Sequence, residues 1–306
     1  MKKYILRAIL GVFTTCTTLY LAAENKPFFN SQTPFTDDTT YIKELKAWHQ
    51  KRIEGLKSEN GWLNLAGLFW LEEGQNTFGT DENNKIVFPK GNAQMGVLTL
   101  NKGEVTVDID PKVQVLANNE EISKLKIFPF EKTIVLKSGS LRWFVIKRGD
   151  KYGIRLRDLE SDELKHFTDI ETYPIDKKWR IKAKLEPATA GKTINITDVL
   201  GQVTPQPSPG TLVFSINGQE YRLDTVDDGD ELFILLADET SGKETYGGGR
   251  FLYANKPDTE GVVYLDFNKA INPPCAFTMF ATCPLPPKQN RLPLPITAGE
   301  KNYGEH

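Results

Sequence analysis

The sequence has few of the residues on which metal sites and nucleophilic sites usually depend. Its 306 residues include three histidines, three cysteines and three methionines. His49, His166 and His306 lack metal-ligand spacing and no Cys-x-x-Cys pair occurs, so a zinc site is not expected. A Gly-x-Ser-x-Gly elbow, a phosphate-binding loop and a dinucleotide fingerprint are also missing. The sequence therefore predicts neither a metal nor a cofactor.

An excess of one charge is also missing. The chain carries 38 Lys and Arg against 40 Asp and Glu, a formal net charge of −2. Such a balance provides no basic surface for nucleic acid and no electrostatic anchor for a membrane. Apolar residues make up 39%, with 17 Phe, 10 Tyr and 5 Trp, which is enough to form a large aromatic core.

The N-terminus has the layout of a secretory signal peptide. Three basic residues occur among the first seven, residues 8–23 are uncharged, and Ala22 and Ala23 provide small residues for cleavage. The uncharged run is shorter than the ~20 residues of a spanning helix, so no membrane span is expected after cleavage. We predict a signal peptide over residues 1–23 and export to the periplasm or the extracellular space. An uncleaved anchor and a lipoprotein attached at Cys16 are the alternatives.

Export would leave two cysteines, Cys275 and Cys283, in the mature chain. An even count in an oxidising compartment indicates a disulfide bond between them. The alternative, a cysteine nucleophile, would require one of the two to be unpaired and to lie beside a base.

Most of the mature chain shows the pattern of short strands. After an extended lead-in (residues 24–38), apolar residues recur at helical period over residues 39–57. About a dozen short β-branched or aromatic runs follow, separated by turn residues, and residues 104–109 alternate strictly. The prediction is a mainly β fold of antiparallel sandwich-like or barrel-like sheets. One N-terminal amphipathic helix and a long, irregular, proline-rich C-terminal segment complete it.

The positions of glycine and proline residues indicate where turns, loops and domain boundaries lie. Four glycines divide residues 60–79, where we expect tight turns between aromatic core anchors. Residues 204–210 are rich in proline and are expected to form a loop between two sheets. We predict one β-rich domain over residues 39–301, with a subdivision near 175–210, and a tail of residues 302–306.

Candidate site residues are concentrated in residues 247–301. Asp266 and Asn268 would share one face of an extended strand. Arg250 could pair with Asp266 or with an external carboxylate. In the strand of residues 152–158, two arginines share the face opposite the apolar residues and would hold an anion if that face lined a cavity. The same polar residues could instead satisfy the backbone of an irregular loop.

Several motifs resemble a known family. They are Tyr246–Leu252 (YGGGRFL), Leu265–Asn268 (LDFN), Asn272–Phe277 (NPPCAF), Cys283–Pro287 (CPLPP), Asn290 and Ala298–Lys301 (AGEK), with Gly61–Leu65 (GWLNL) and Gly153–Asp158 (GIRLRD) nearer the N-terminus. The chain resembles domain of unknown function 1684 over residues 41–301. The resemblance implies one family unit and no established activity.

Two functions follow as hypotheses. The first is a hydrolase-like enzyme in which Asp266 or Glu300 acts as acid or base. The second is a non-catalytic envelope protein that binds a small polar or anionic ligand, with an accessory role in docking a partner as a further alternative. The predicted ligand-binding residues are Arg157, Asp158, Arg250, Asn268, Asn272 and Asn290.

Overall fold

The computed structural model describes residues 38–304, so the predicted signal peptide and nearly all of the lead-in lie outside the described residues. The described chain begins with helix α1 (Asp38–Lys57), which confirms the predicted helix. Asp38 in its first turn and Lys57 in its last turn complement the helix dipole. Tyr41, Leu45, Ile53 and Leu56 of the apolar stripe are buried.

The first group of strands follows α1. They are β1 (Leu65–Trp70), β2 (Gly74–Gly79), β3 (Ile86–Val87), β4 (Gly96–Asn101), β5 (Glu104–Ile109), β6 (Leu116–Ala117), β7 (Glu120–Glu121), β8 (Lys124–Phe128), β9 (Leu136–Ser138), β10 (Leu141–Arg148) and β11 (Lys151–Asp158). One sheet has the order β1-β11-β10-β9-β6-β7 and the other β3-β2-β4-β5-β8. All pairs are antiparallel except β2 with β3.

The two sheets share one aromatic-rich core. Phe78 on β2 and Trp143 on β10 are fully buried, and Phe88 packs against both, with ring centroids 5.5 and 5.9 Å away. The predicted alternation of β5 places Val105 and Val107 in this core, with polar residues between them. Facing sheets with a common core form a sandwich-like arrangement.

The second group of strands follows a short helix, α2 (Asp162–His166). They are β12 (Arg180–Pro187), β13 (Thr193–Thr197), β14 (Val203–Pro207), β15 (Gly210–Ile216), β16 (Gln219–Asp224), β17 (Val226–Asp228), β18 (Glu231–Leu236), β19 (Arg250–Asn255) and β20 (Val262–Asp266). They form antiparallel sheets with the orders β16-β15-β12-β20, β17-β18-β19 and β13-β14. Their main core extends from Trp179 to Ala298.

Helix α1 connects the two groups of strands. Its Ile53 and Leu56 pack in a separate cluster with Leu63, which precedes β1, and with Ala276 and Phe277 of the C-terminal segment. In the described part of the chain, no helix combines the length and the apolar character that a membrane-spanning helix requires. Helix α1 thus packs its apolar stripe against the segment before β1 and against the C-terminal segment, while much of its remaining surface is exposed.

The structure differs from the sequence interpretation at two segments. The glycine-punctuated residues 60–79 contain two strands, β1 and β2, and three of the aromatic residues expected there as anchors are only partly buried, whereas Leu63 and Leu65 are buried. The proline-rich connector was predicted as a loop, which is wrong for Val203–Pro207, since these residues form β14. Among residues 38–304, β14 has β13 as its single strand partner, so its prolines occupy an edge strand, where a missing N–H is tolerated.

The turn of residues 247–249 ends at Gly249, which packs closely against the backbone of Leu236. A larger residue at this position is therefore expected to destabilise the fold. Gly249 has φ of 86°, and an added Cβ would lie 2.6 Å from the carbonyl oxygen of Leu236. Gly218 has φ of 81° but open space around it. We expect Gly249→Ala to lower the free energy of unfolding by at least about 2 kcal/mol and Gly218→Ala by about 1 kcal/mol, as measured by urea denaturation. Equal losses would contradict a steric role for the Gly249 contact.

Candidate functional site

A cavity of about 530 Å³ lies between helix α1 and strands from both groups. Its walls combine apolar and polar surface, as in pockets for small organic ligands. The aromatic side chains in the wall are Tyr41, Trp48, Trp62, Phe233, Phe251, Tyr253 and Tyr264. The charged side chains in the wall are Glu44, Lys51, Arg52, Arg148, Arg155, Arg180, Asp228, Glu231, Lys256, Asp258, Asp266 and Lys269.

Asp266 lies in the cavity wall and is held by Tyr41. The Tyr41 hydroxyl donates to the Asp266 carboxylate, with oxygen–oxygen distances of 2.9 and 3.0 Å. The Asn268 amide donates to Asp266 Oδ1 at 3.1 Å, so Asp266 and Asn268 do meet. The reason is not a shared strand face, because β20 ends at Asp266, which caps the 3₁₀ turn Phe267–Lys269. Burial, and then the charge and hydrogen bond of Asp266, raise the pKa of Tyr41 well above its usual range.

Glu300 forms a second polar group at the cavity with Arg52 and Asn272. Arg52 Nε donates to Glu300 Oε1 at 3.1 Å, and its Nη2 donates to the carbonyl oxygen of Asn272 at 3.0 Å. The backbone N–H of Asn272 donates to Glu300 Oε2 at 2.6 Å. Glu300 is 1% exposed, and both of its oxygens accept hydrogen bonds. Within this group, Arg52 and Asn272 line the cavity.

Three arginines approach the cavity from β10, β11 and β12. The guanidinium carbon of Arg155 lies 5.7 Å from the ring centre of Trp62, and that of Arg180 lies 5.1 Å from the ring centre of Tyr264. Arg148 Nε donates to Thr282 Oγ1 at 3.1 Å. Burial lowers the pKa of Arg148. The arginine pair predicted on residues 152–158 is therefore divided, since Arg155 lines the cavity and Arg157 does not.

Arg250 is buried in a separate cluster. Its Nη2 donates to Asp238 Oδ2 at 2.8 Å and to the carbonyl oxygen of Ile296 at 3.0 Å, and its Nη1 donates to the carbonyl oxygen of Ala298. The predicted pair of Arg250 with Asp266 is not formed. Asp238 is the partner because β18 and β19 are neighbours and the turn after β18 starts with Asp238. The buried Arg250 thus holds the C-terminal segment in place through the carbonyl oxygens of Ile296 and Ala298.

The other predicted site residues also support the backbone. Arg157 donates to Asn64 Oδ1 at 2.8 Å and to the carbonyl oxygen of Gly61, and Asp158 caps the turn that leads to Glu160. Burial acts to raise the pKa of Asp158, but hydrogen bonds with the Ser140 side chain and the backbone of Glu160, followed by the charge of Lys90, lower it below its usual value. Asn290 is fully buried and bonds the backbone of Asp224 and Leu235.

The cysteine pair lies at one end of the cavity. The sulfurs of Cys275 and Cys283 are within bonding distance, and their Cα atoms are 6.1 Å apart. Cys283 and its neighbours Thr282 and Pro284 line the wall. In residues 38–304, no group of three or more His, Cys, Asp or Glu side chains is arranged to hold a metal ion.

Sequence reasoning missed the contribution of helix α1 and β10. Arg52 lines the cavity from beside the apolar stripe of α1, where a polar residue next to a buried stripe was the available signal, whereas Tyr41 belongs to the stripe itself. Arg148 is the last residue of β10 and has no distinguishing pattern. Its role depends on the C-terminal segment, which is more than 130 positions away in the chain.

Comparison with known proteins gives limited information. A family model described as protein of unknown function (DUF1684) matches residues 165–301, which confirms the suspected resemblance over that part of the chain. The N-terminal motifs that also resembled the family lie outside the match. No curated protein matches the chain.

Two solved structures are similar to parts of this chain. One is the solution NMR structure of an uncharacterized protein from gene locus rrnAC0354 of Haloarcula marismortui. It is 28% identical, covers 47% of this chain and 82% of that chain, and has a TM-score of 0.39. The other is the FhaA FHA domain complexed with the intracellular domain of Rv3910, which is 13% identical, covers 29% of this chain and 97% of that chain, and has a TM-score of 0.22.

The contact of Tyr41 with Asp266 generates a prediction for stability. Tyr41→Phe removes one of the donors to the buried Asp266 carboxylate and leaves those from Asn268, so we expect a loss of about 1–3 kcal/mol at pH 7. Because the pKa of Tyr41 is higher in the folded state than in the unfolded state, its contribution is complete below pH 10 and is lost as the pH rises further. Stability should therefore fall less steeply above pH 10 in Tyr41→Phe than in wild type, as measured by denaturant titration.

Tyr264→Phe is the matched control, because Tyr264 also lines the cavity and its hydroxyl makes no hydrogen bond in the described part of the chain. Its stability should match wild type at every pH. Identical alkaline profiles for Tyr41→Phe and wild type would show that the Tyr41 contact does not contribute.

Proposed function

We propose, for a chain whose residues 165–301 match a family of unknown function, that the cavity binds a small organic anion with an apolar body. The protein is then a non-catalytic binding protein. The proposal depends most on Arg148, which places a partly buried positive charge in the wall of a cavity that also has aromatic surface.

Arg148 is suited to an external anion because no carboxylate of residues 38–304 pairs with it directly, although the charge of Asp198 partly offsets the effect of burial on its pKa. Its hydrogen bonds go to neutral acceptors, Thr282 Oγ1 at 3.1 Å and the carbonyl oxygen of Lys147 at 2.9 Å. No Asp or Glu oxygen lies within ion-pair distance of Arg148 among residues 38–304. A guanidinium remains charged at neutral pH even when it is partly desolvated. A ligand carboxylate or phosphate would supply the missing partner.

The aromatic wall supports an apolar ligand body. Phe233 packs against Phe251 and Tyr253, with ring centroids 5.0 and 4.9 Å apart, and all three line the cavity. Such a wall gains free energy when it covers apolar ligand surface. The volume of about 530 Å³ is within the range of pockets for small molecules.

A hydrolase-like activity is the second candidate, because Asp266 presents a carboxylate in the cavity wall. The other predicted acid or base, Glu300, is less suited, since it is not among the residues that line the cavity and its side chain is buried in the ion pair with Arg52. Turnover of 4-nitrophenyl esters that is lost in Asp266→Asn would favour the enzyme over the binding protein.

We expect Arg148→Gln to weaken the binding of organic anions at least 10-fold, because a hydrogen bond to a charged group contributes about 1.5–3 kcal/mol. Phenylacetate and decanoate are the probes, and calorimetry with tryptophan fluorescence from Trp48 and Trp62 is the measurement. Arg222→Gln is the control, since Arg222 pairs with Glu186 and Glu220 on the surface and does not line the cavity. Unchanged affinity in Arg148→Gln would refute the role of Arg148.

We also propose that the protein is exported after cleavage near Ala23, and the Cys275–Cys283 pair is compatible with that location. Mass spectrometry should find a mature N-terminus close to Glu24. Thiol titration of the denatured mature protein should find no free thiol before reduction and two after it. A mature chain that starts at Met1 or Lys2 would contradict export by cleavage.

A further inference from the structure

Asn272 has one hydrogen-bonding atom that the protein does not use. The residue is fully buried and lines the cavity. Its Nδ2 donates to the carbonyl oxygen of Lys301 at 2.7 Å, its backbone N–H donates to Glu300, and its carbonyl oxygen accepts from Arg52. The side-chain oxygen Oδ1 has no hydrogen-bond partner among residues 38–304.

The contacts of Asn272 fix what its Oδ1 can bind. Because Nδ2 is committed to Lys301, the amide cannot rotate to exchange its two ends without losing that bond. The position therefore offers an acceptor and requires a donor. A buried amide oxygen without a donor is unfavourable and is usually satisfied by water or by a ligand. The guanidinium of Arg52 and the carboxylate of Glu300 both lie beside Asn272 and offset each other's charge, so the position suits a neutral hydroxyl group.

We propose that Asn272 Oδ1 accepts a hydrogen bond from a hydroxyl group of the ligand. This inference rests on the proposed function, in which Arg148 binds the acidic group. Together the two positions select a hydroxy acid with an apolar body, which is either aromatic or aliphatic. Asn272 is then a residue that determines specificity, because it distinguishes a hydroxylated acid from the parent acid.

The test compares matched acids that differ by one hydroxyl group. The probes are phenylacetate against its three ring-hydroxylated isomers, and decanoate against 3-hydroxydecanoate, with affinities measured by calorimetry. A site that bonds a ligand hydroxyl strongly rejects the analogue that lacks it. We expect wild type to prefer at least one hydroxy acid by about 10-fold or more, and Asn272→Leu to lose that preference.

Asn84→Leu is the matched control. Asn84 is also buried, its Nδ2 donates to two backbone carbonyl oxygens, and its Oδ1 has no partner in the described part of the chain, but it does not line the cavity. It should keep the wild-type preference. If Asn272→Leu does not fold, the side-chain carbonyl ¹³C resonance of Asn272 in wild type provides the readout, and it should move with the preferred hydroxy acid and not with its parent.

The outcomes separate this inference from the proposal on which it rests. If parent and hydroxylated acids bind equally well, or if the preference persists in Asn272→Leu, the role of Asn272 is refuted while the cavity remains an anion site. If no acid of either series binds, the proposed function fails and the inference fails with it.

Discussion

The buried ion pair between Arg52 and Glu300 joins parts of the chain that are 248 positions apart. The Arg52 side chain is 15% exposed and that of Glu300 1%, so each charge depends on the other to offset its desolvation. The same two side chains bond both backbone groups of Asn272. Helix α1 is thereby held against the C-terminal segment, and because α1 forms one wall of the cavity, the cavity depends on this contact. The apolar packing of Ile53 and Leu56 positions the helix, whereas the ion pair determines its register.

The high density of polar residues in the C-terminal segment has a backbone explanation. After β20 the chain forms 3₁₀ turns and irregular structure, so few of its amides and carbonyls have partners in a sheet. Buried backbone groups must still be bonded. Arg250 supplies donors to the carbonyl oxygens of Ile296 and Ala298, and Asn290 bonds the backbone at Asp224 and Leu235. Side chains thus replace the ladder that a strand would have provided, and a cluster of Arg, Asp and Asn in sequence can indicate such a scaffold as readily as a site.

The sequence was sufficient for features that depend on local periodicity. Helix α1 and the alternation of β5 follow from spacing that tertiary contacts only reinforce. It was insufficient where partners are distant. Asp266 and an external carboxylate were the two partners considered for Arg250, but the strand order gives it Asp238. Residues Pro205 and Pro207 suggested a loop, but an edge strand accepts them. For the site, Asp266 and Asn272 were identified and do line the cavity, whereas Arg148 depends on a contact that no local pattern records.

Two residues of the cavity wall, Arg148 and Asn272, are proposed as ligand contacts because they combine a place in that wall with hydrogen-bonding capacity that the described part of the protein does not use. Glu300 and Arg250 are charged and buried, yet their contacts within the protein already match their charge. Arg148 and Asn272 differ, since one lacks a carboxylate and the other lacks a donor for its Oδ1. These two come from different parts of the chain, one from the sandwich-like N-terminal sheets and one from the C-terminal segment. The segment that matches the family, residues 165–301, contains Asn272 but neither Arg148 nor α1. The proposed contacts with an anion and with a hydroxyl group therefore include Arg148, which lies before the residues that match the family.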